Sequence, residues 1–332
     1  MGRRICHPLS PYHLLPSSRS YAIIYSMNIH KIKIIIRAAR PNQWMKNLVI
    51  FTSIVFGGQL FNGDLFTKSL IGFILLCLLS STSYILNDII DYPFDKKHPA
   101  KKFRPIASGE LSVPDATFIV FIATLLILIS SLFFSIPFFF IAFAFILLHF
   151  FYSLYFKKHP VLDIFTISFS FMLRAFAGSV ITGYHIQIWL LLTVFFISLF
   201  IATVKRHAEL VAHGTQARAS LYHYKEHLID FLTTTFATLT ITSYSLYTFL
   251  ENPPAIQTPF SNYFNNLFPA FEARKWFMIT IPIVVYGIAR YAQLLYEKEQ
   301  GETPEKIITQ DKPLIAAIAL WGGIVIGLIY LF

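Results

Sequence analysis

The chain has 332 residues, of which 55% are hydrophobic and only 13% charged, with 35 Phe and 17 Tyr. That profile excludes a soluble globular domain and points to a polytopic membrane protein. The formal charge of +10 describes a face attractive to anionic lipid and phosphorylated ligands, and nothing in it requires nucleic acid. Two cysteines, Cys6 and Cys77, supply neither a disulfide framework nor a metal-binding pair.

Met1 to Ser26 is basic, rich in Pro and Ser, and free of acidic residues. No apolar core of the length a secretory signal needs precedes a small-residue site. A transit peptide fits the composition, although Pro8, Pro11 and Pro16 oppose its amphipathic helix. A disordered basic tail over 1–27, or a start codon upstream of the true one at Met27, fits best, followed by a single membrane domain over 28–332.

Asn28 to Arg40 mixes Lys31, Lys33, Arg37 and Arg40 with Ile32, Ile34, Ile35 and Ile36, as an interfacial helix would. In RPNQWMKN, Arg40 to Asn47, Pro41 starts a helix readily and Trp44 suits the headgroup level. Lys46 and Asn47 serve either as interface anchors or as the lining of a polar cavity that meets a phosphate.

Nine apolar runs can cross ~30 Å of hydrocarbon: Asn47 to Phe61, Ser69 to Asp91, Thr117 to Phe134, Pro137 to Phe156, Val161 to Thr182, Ile188 to Val204, Leu228 to Leu250, Trp276 to Tyr296 and Pro313 to Phe332. With the N-terminus inside, 22 of the 27 Lys and Arg fall on inner segments and three outside, with Arg174 and Arg290 in spans. So lopsided a distribution sets the N-terminus in the cytoplasm.

The second run delivers NDIIDYPFDKKHPAKKFRPIASG, Asn87 to Gly109, to the cytoplasmic side. At ~100° per residue Asp88, Asp91 and Asp95 fall within a ~60° sector of one helix face. Carboxylates converging there, followed at once by Lys96, Lys97, Lys101, Lys102 and Arg104, suggest Mg²⁺ holding a polyphosphate. Pro93 predicts a kink or an end to the helix between Asp91 and Asp95, which makes Asp88 and Asp91 the safer pair.

Further on, YSLYFKK places Tyr152, Tyr155, Lys157 and Lys158 at the cytoplasmic interface, with Asp163 opening the fifth run. Arg174 lies eleven residues beyond Asp163, at almost the same azimuth and roughly 16 Å deeper. An arginine there needs a wet cavity or a partner. The sixth run ends in VKRHAEL, where Lys205, Arg206 and Glu209 form either a local ion pair or part of a basic site. His213 to His227 reads as a lid or a connector, and Glu251 to Lys275 as an interfacial cap. Arg290 has a structural or a site role, and His149 reads as a core histidine.

NDIIDYPFD resembles the first aspartate-rich motif, NDxxDxxxD, of the UbiA superfamily of intramembrane prenyltransferases, from about Arg40 to the C-terminus. The resemblance implies an all-α bundle of about nine transmembrane helices with a cytoplasmic-facing active-site cavity. Aromatic-ring prenyltransferases of that family usually carry a second aspartate-rich motif at the end of the sixth helix. VKRHAEL stands there instead, with Glu209 its one acid. RPNQWMKN, HPAKKFRPIASG, YSLYFKK with Asp163, LRAFAG and KRHAEL together are similar to the decaprenyl-phosphate phosphoribosyltransferase branch. That branch implies Mg²⁺-dependent transfer of a 5-phosphoribosyl group from 5-phosphoribosyl diphosphate to a polyprenyl phosphate in the inner membrane, feeding a lipid-linked pentose donor for the cell envelope. It implies Asp88, Asp91 and Asn87 as catalytic residues and Asp88, Asp91 and Asp95 as metal ligands. Lys46, Lys101, Arg104, Tyr152, Lys157, Arg174, Lys205 and Arg206 would hold phosphates. A UbiA-type prenyl transfer from a prenyl diphosphate is the alternative, a transporter of a phosphorylated lipid a distant third, and a homo-oligomer is compatible with all three.

Overall fold

The computed structural model describes residues 30–213, 226–251, 276–297 and 310–330. The tail over 1–27, the segment after His213 and most of the one after Glu251 lie outside them. Helix α1 spans 30–39, a 3₁₀ helix Pro41–Phe51 leads into α2 (Thr52–Phe56), and α3 is Gly63–Asp95. Then come α4 (Val113–Phe134), α5 (Ile136–Leu154), α6 (Leu162–Thr182), α7 (Ile188–His213), α8 (Glu226–Leu250), α9 (Ile281–Glu297) and α10 (Lys312–Tyr330). No strand occurs among the described residues.

Each of the nine predicted runs is helical, but six helices are long and apolar enough to cross a membrane: α3, α4, α5, α6, α7 and α10. The expected count of nine spans is therefore not reached among the described residues. The first run is split between a 3₁₀ segment and the short α2. Helix α8 carries Glu226, Asp230 and a series of Thr, whose hydroxyls bond back to the preceding turn, as from Thr233 to Ile229 O and from Thr240 to Phe236 O. Helix α9 has 17 residues and contains Arg290.

Helix α1 buries Ile34 and Ala38 against Ile85, Ile106, Leu111 and Ala116. Its opposite face exposes Ile32 and Ile36, four residues apart, beside Lys33 and Arg37, the pattern of a helix lying in an interface. The 3₁₀ helix repeats every three residues, so its side chains form three stripes. Pro41, Trp44, Asn47 and Ile50 turn toward the bundle, and Asn47 and Ile50 are fully buried. Asn42, Met45 and Leu48 are exposed, and Gln43, Lys46 and Val49 are half-buried on the third stripe.

Two cores flank α6. One joins Ile50, Leu76, Leu79, Phe138, Phe145 and Ala177 from the 3₁₀ helix, α3, α5 and α6. The other joins Ile164, Leu199, Phe200, Ile229, Tyr291 and Leu314 from α6 to α10. The Tyr330 hydroxyl accepts from Leu60 N at 2.9 Å and donates toward the Ile54 and Val55 carbonyls at 3.1 and 3.0 Å, which ties α10 back to α2.

The 3₁₀ helix meets α6 at Gly178, where a Cβ would stand 1.9 Å from the Ile50 carbonyl oxygen and 2.9 Å from its carbon. Backbone on both sides leaves no side chain to yield. Gly178→Ala is expected to cost about 1–3 kcal/mol through overpacking, seen as a lowered melting temperature in detergent. Gly287→Ala, with nothing within 4 Å of the added carbon, is the matched control and leaves melting near that of the wild type.

Candidate active site

Asn87, Asp88, Asp91 and Asp95 come from the last turns of α3. Contrary to the expectation from Pro93, the helix runs through it to Asp95. The proline sits so near the end that only one ladder bond is lost, and Lys96 N still reaches the Tyr92 carbonyl at 3.3 Å.

This continuity changes the pairing. Asp88 and Asp95 are seven residues apart, nearly one azimuth on an unbroken helix, and both are buried, at 2% and 3% exposure. One nitrogen, Arg104 Nη1, donates to Asp88 Oδ1 at 3.1 Å and to Asp95 Oδ2 at 2.7 Å. Asp91 faces elsewhere: Lys157 Nζ donates to its Oδ1 at 2.5 Å and to Asn87 Oδ1 at 3.1 Å, and Asn87 Nδ2 donates to Asp91 Oδ2 at 3.0 Å. The expected convergence of all three carboxylates on one ligand is thus divided, and among the described residues no three His, Cys, Asp or Glu side chains cluster as metal ligands.

A third cation completes the group. Arg40 Nη2 reaches both oxygens of Asp88, at 2.5 and 2.7 Å, and its guanidinium lies 5.3 Å from the Tyr84 ring centre. Its backbone is left-handed, φ 51° and ψ 62°, immediately before Pro41. That conformation costs an L-residue about 1–2 kcal/mol, and the residue before a proline normally prefers extended backbone. The ion pair with Asp88 holds it there. Sequence reading placed Arg40 with the interfacial helix; the available signal was its position at the head of the motif that also supplies Lys46 and Asn47.

The other expected phosphate-binding residues differ in burial. Lys101, Tyr152 and Lys205 are half-buried near this end of the bundle, and Lys46 is half-buried lower on the 3₁₀ helix. Arg174 is at 3% exposure within the bundle. Its Nε donates to Asn47 Oδ1 at 2.7 Å and its Nη1 to Ser170 Oγ at 2.8 Å, and it lies over the rings of Phe145 and Phe171. Asn47 also accepts from Ser80 and donates toward Cys77. Those two α3 residues lie roughly 12–16 Å from Asp88 along the axis, so Arg174 locks the 3₁₀ helix to α3 and α6 instead of joining the carboxylates.

Arg206, at 1% exposure, turns into the protein, with Nε 3.4 Å from Asp163 Oδ2 and Nη1 on Glu209. Arg290 bonds Asp311 and so links α9 to the start of α10. His149 packs on Phe145 as a core residue, with ring centres 4.4 Å apart.

The family profile described as the UbiA prenyltransferase family matches residues 48–308. The chain belongs to that family. This UbiA member is 31% identical over 303 residues to the decaprenyl-phosphate phosphoribosyltransferase of Corynebacterium glutamicum, spanning 89% of this chain and 86% of the relative. It is 30% identical to the protein of the same name in Mycolicibacterium smegmatis, spanning 89% and 92%. Among solved structures, a UbiA homolog from Archaeoglobus fulgidus bound to DMAPP and Mg²⁺ superposes with a TM-score of 0.64 at 16% identity, over 89% of this chain and 98% of that one. The fold is therefore that of an all-helical, membrane-embedded UbiA protein.

Proposed function

We propose that this UbiA protein is a transferase that moves a 5-phosphoribosyl group from 5-phosphoribosyl diphosphate to a polyprenyl phosphate. The observation that carries the reading is the exit of α7. There the family's usual second acidic motif is replaced by Lys205, Arg206 and Glu209, and the aspartate-rich motif stands at the end of α3. The likeness to two decaprenyl-phosphate phosphoribosyltransferases over 89% of the chain agrees with it. The excess of Lys and Arg on inner segments supports a site on the cytoplasmic face of the cell membrane.

A phosphate oxygen of the acceptor attacks the anomeric carbon as the bond from that carbon to the diphosphate oxygen breaks, and diphosphate leaves with the electron pair. The residues fit a divalent cation. Arg104 Nη1 already stands as a positive centre between Asp88 and Asp95, and oxygen donors in that number, completed by substrate phosphate, suit magnesium. Asp88 and Asp95 would hold it, and when bound it neutralises charge on the leaving diphosphate. Arg104 and Lys157 are long arms that exchange a carboxylate for a phosphate without backbone movement. A phosphate monoester is largely dianionic near neutral pH, so the acceptor needs no general base.

Purified protein in detergent is expected to release pyrophosphate from 5-phosphoribosyl diphosphate only when Mg²⁺ and a polyprenyl phosphate are both present. A second reading, prenyl transfer, is favoured by the solved UbiA homologs bound to DMAPP or GPP with Mg²⁺. It predicts release from a prenyl diphosphate instead, and one assay offering both donors separates the two.

A further inference from the structure

We propose that α1 is an in-plane docking helix for the anionic surface of the lipid bilayer, with Ile32 and Ile36 among the acyl chains and Lys31 and Lys33 on the phosphate-bearing headgroups above them. At ~100° per residue the helix divides into sectors. Ile34 and Ala38 form the buried one and pack on Ile85, Ile106, Leu111 and Ala116. Roughly 160° away from that pair, Ile32 and Ile36 stand 55% and 52% exposed. His30, Lys33 and Arg37 fill a further sector of ~60°, and all three are exposed. Two apolar faces on one short helix require two apolar surroundings, and the protein supplies one of them.

The position of α1 in the bundle is that of a membrane boundary. The residues that receive it belong to the last turns of α3, the segment after it and the start of α4, with Ile89 and Tyr92 against the same cluster. Trp44, an aromatic suited to headgroup depth, follows soon after in the chain. Charge selects the lipid. No Asp or Glu occurs between Asn28 and Gly63. Arg37 is bonded by Glu110, while Lys31 and Lys33 are exposed on opposite flanks of the isoleucine stripe. A lysine stem lies along an apolar surface while its ammonium reaches outward, so a headgroup over the stripe meets cations from both sides. Such a helix binds by apolar insertion together with attraction to anionic lipid. Helix α1 runs directly into Arg40, whose Nη2 bonds Asp88, so the docked helix also fixes the root of that arm.

The test places a fluorophore on Ile36→Cys in a Cys6→Ser background, where the other cysteine, Cys77, is buried. The full-length protein is reconstituted into phosphatidylcholine bilayers that carry the same mole fraction of either dibrominated phosphatidylglycerol or dibrominated phosphatidylcholine. Both brominated lipids should quench the label, and the phosphatidylglycerol should do so with a relative binding constant at least about fivefold higher, the worth of one lysine at an anionic surface. Lys31→Gln combined with Lys33→Gln should bring the two lipids level, and added salt should narrow the gap. Ile32→Cys gives the same readout one turn away, should a label at Ile36 disturb folding. Equal quenching by the two lipids in the otherwise unchanged protein overturns the selection of anionic lipid. Quenching by aqueous iodide and by neither lipid leaves the face in water, and quenching by none of the three means that protein, a second copy included, covers it; either result overturns the docking. Pyrophosphate release enters none of these measurements, so a failed phosphoribosyl transfer assay leaves their outcome unaffected.

Discussion

Asp88→Asn and Asp95→Asn should each lower Mg²⁺-dependent pyrophosphate release by about 10²–10³-fold, the loss typical of removing one charged contact to a developing anion. The two effects should lie within about tenfold of each other, and both variants should need more Mg²⁺ for half-maximal rate. The reason is geometric: one nitrogen of Arg104 bonds both carboxylates, so both already face one positive centre. If Asp95 belonged to a separate surface site, Asp95→Asn would keep near-wild-type rate and Mg²⁺ dependence, and that result would remove it from the metal pair. Melting in detergent checks that each variant is folded. Asp95→Asn still accepts from Arg104 and should melt close to the wild type.

The contrast between what periodicity conveys and what it hides is clear at this site. Among the described residues apolar runs located helices α2 to α10, and the spacing of Asp88, Asp91 and Asp95 put them on one helix end, because these are properties of a chain with a fixed rise and turn. The depth of Arg174 below Asp163 followed from the same arithmetic. Partners were not legible. Arg40 meets Asp88 across 48 residues and Lys157 meets Asp91 across 66, and no local pattern encodes which of many cations comes home to which acid. The 3₁₀ path of Pro41–Phe51 was hidden for a related reason. Pro41 starts an α-helix equally well, and it is the close approach of Gly178 and the Arg174 bond to Asn47, both on α6, that accompany the tighter winding. Pro93 misled because its cost depends on how many turns follow, and here almost none do.

Arg206 provides the second large effect, on stability. Arg206→Met should destabilise the protein by about 3–5 kcal/mol, because it removes the guanidinium that stands 3.4 Å from the carboxylate of Asp163, which is at 0% exposure. Asp163→Asn alone should be costly for the mirror-image reason. Combining Arg206→Met with Asp163→Asn should recover most of the loss, since a buried ion pair replaced as a unit is often close to neutral. Non-additive melting temperatures across the four proteins would establish the coupling. The same set separates a structural role from a substrate role. A positioning pair joining α6 to α7 predicts that the double variant regains both stability and pyrophosphate release. If Arg206→Met instead melts like the wild type and loses only affinity for a phosphorylated substrate, Arg206 leaves Asp163 to bind phosphate during turnover, and the buried pair is a resting arrangement.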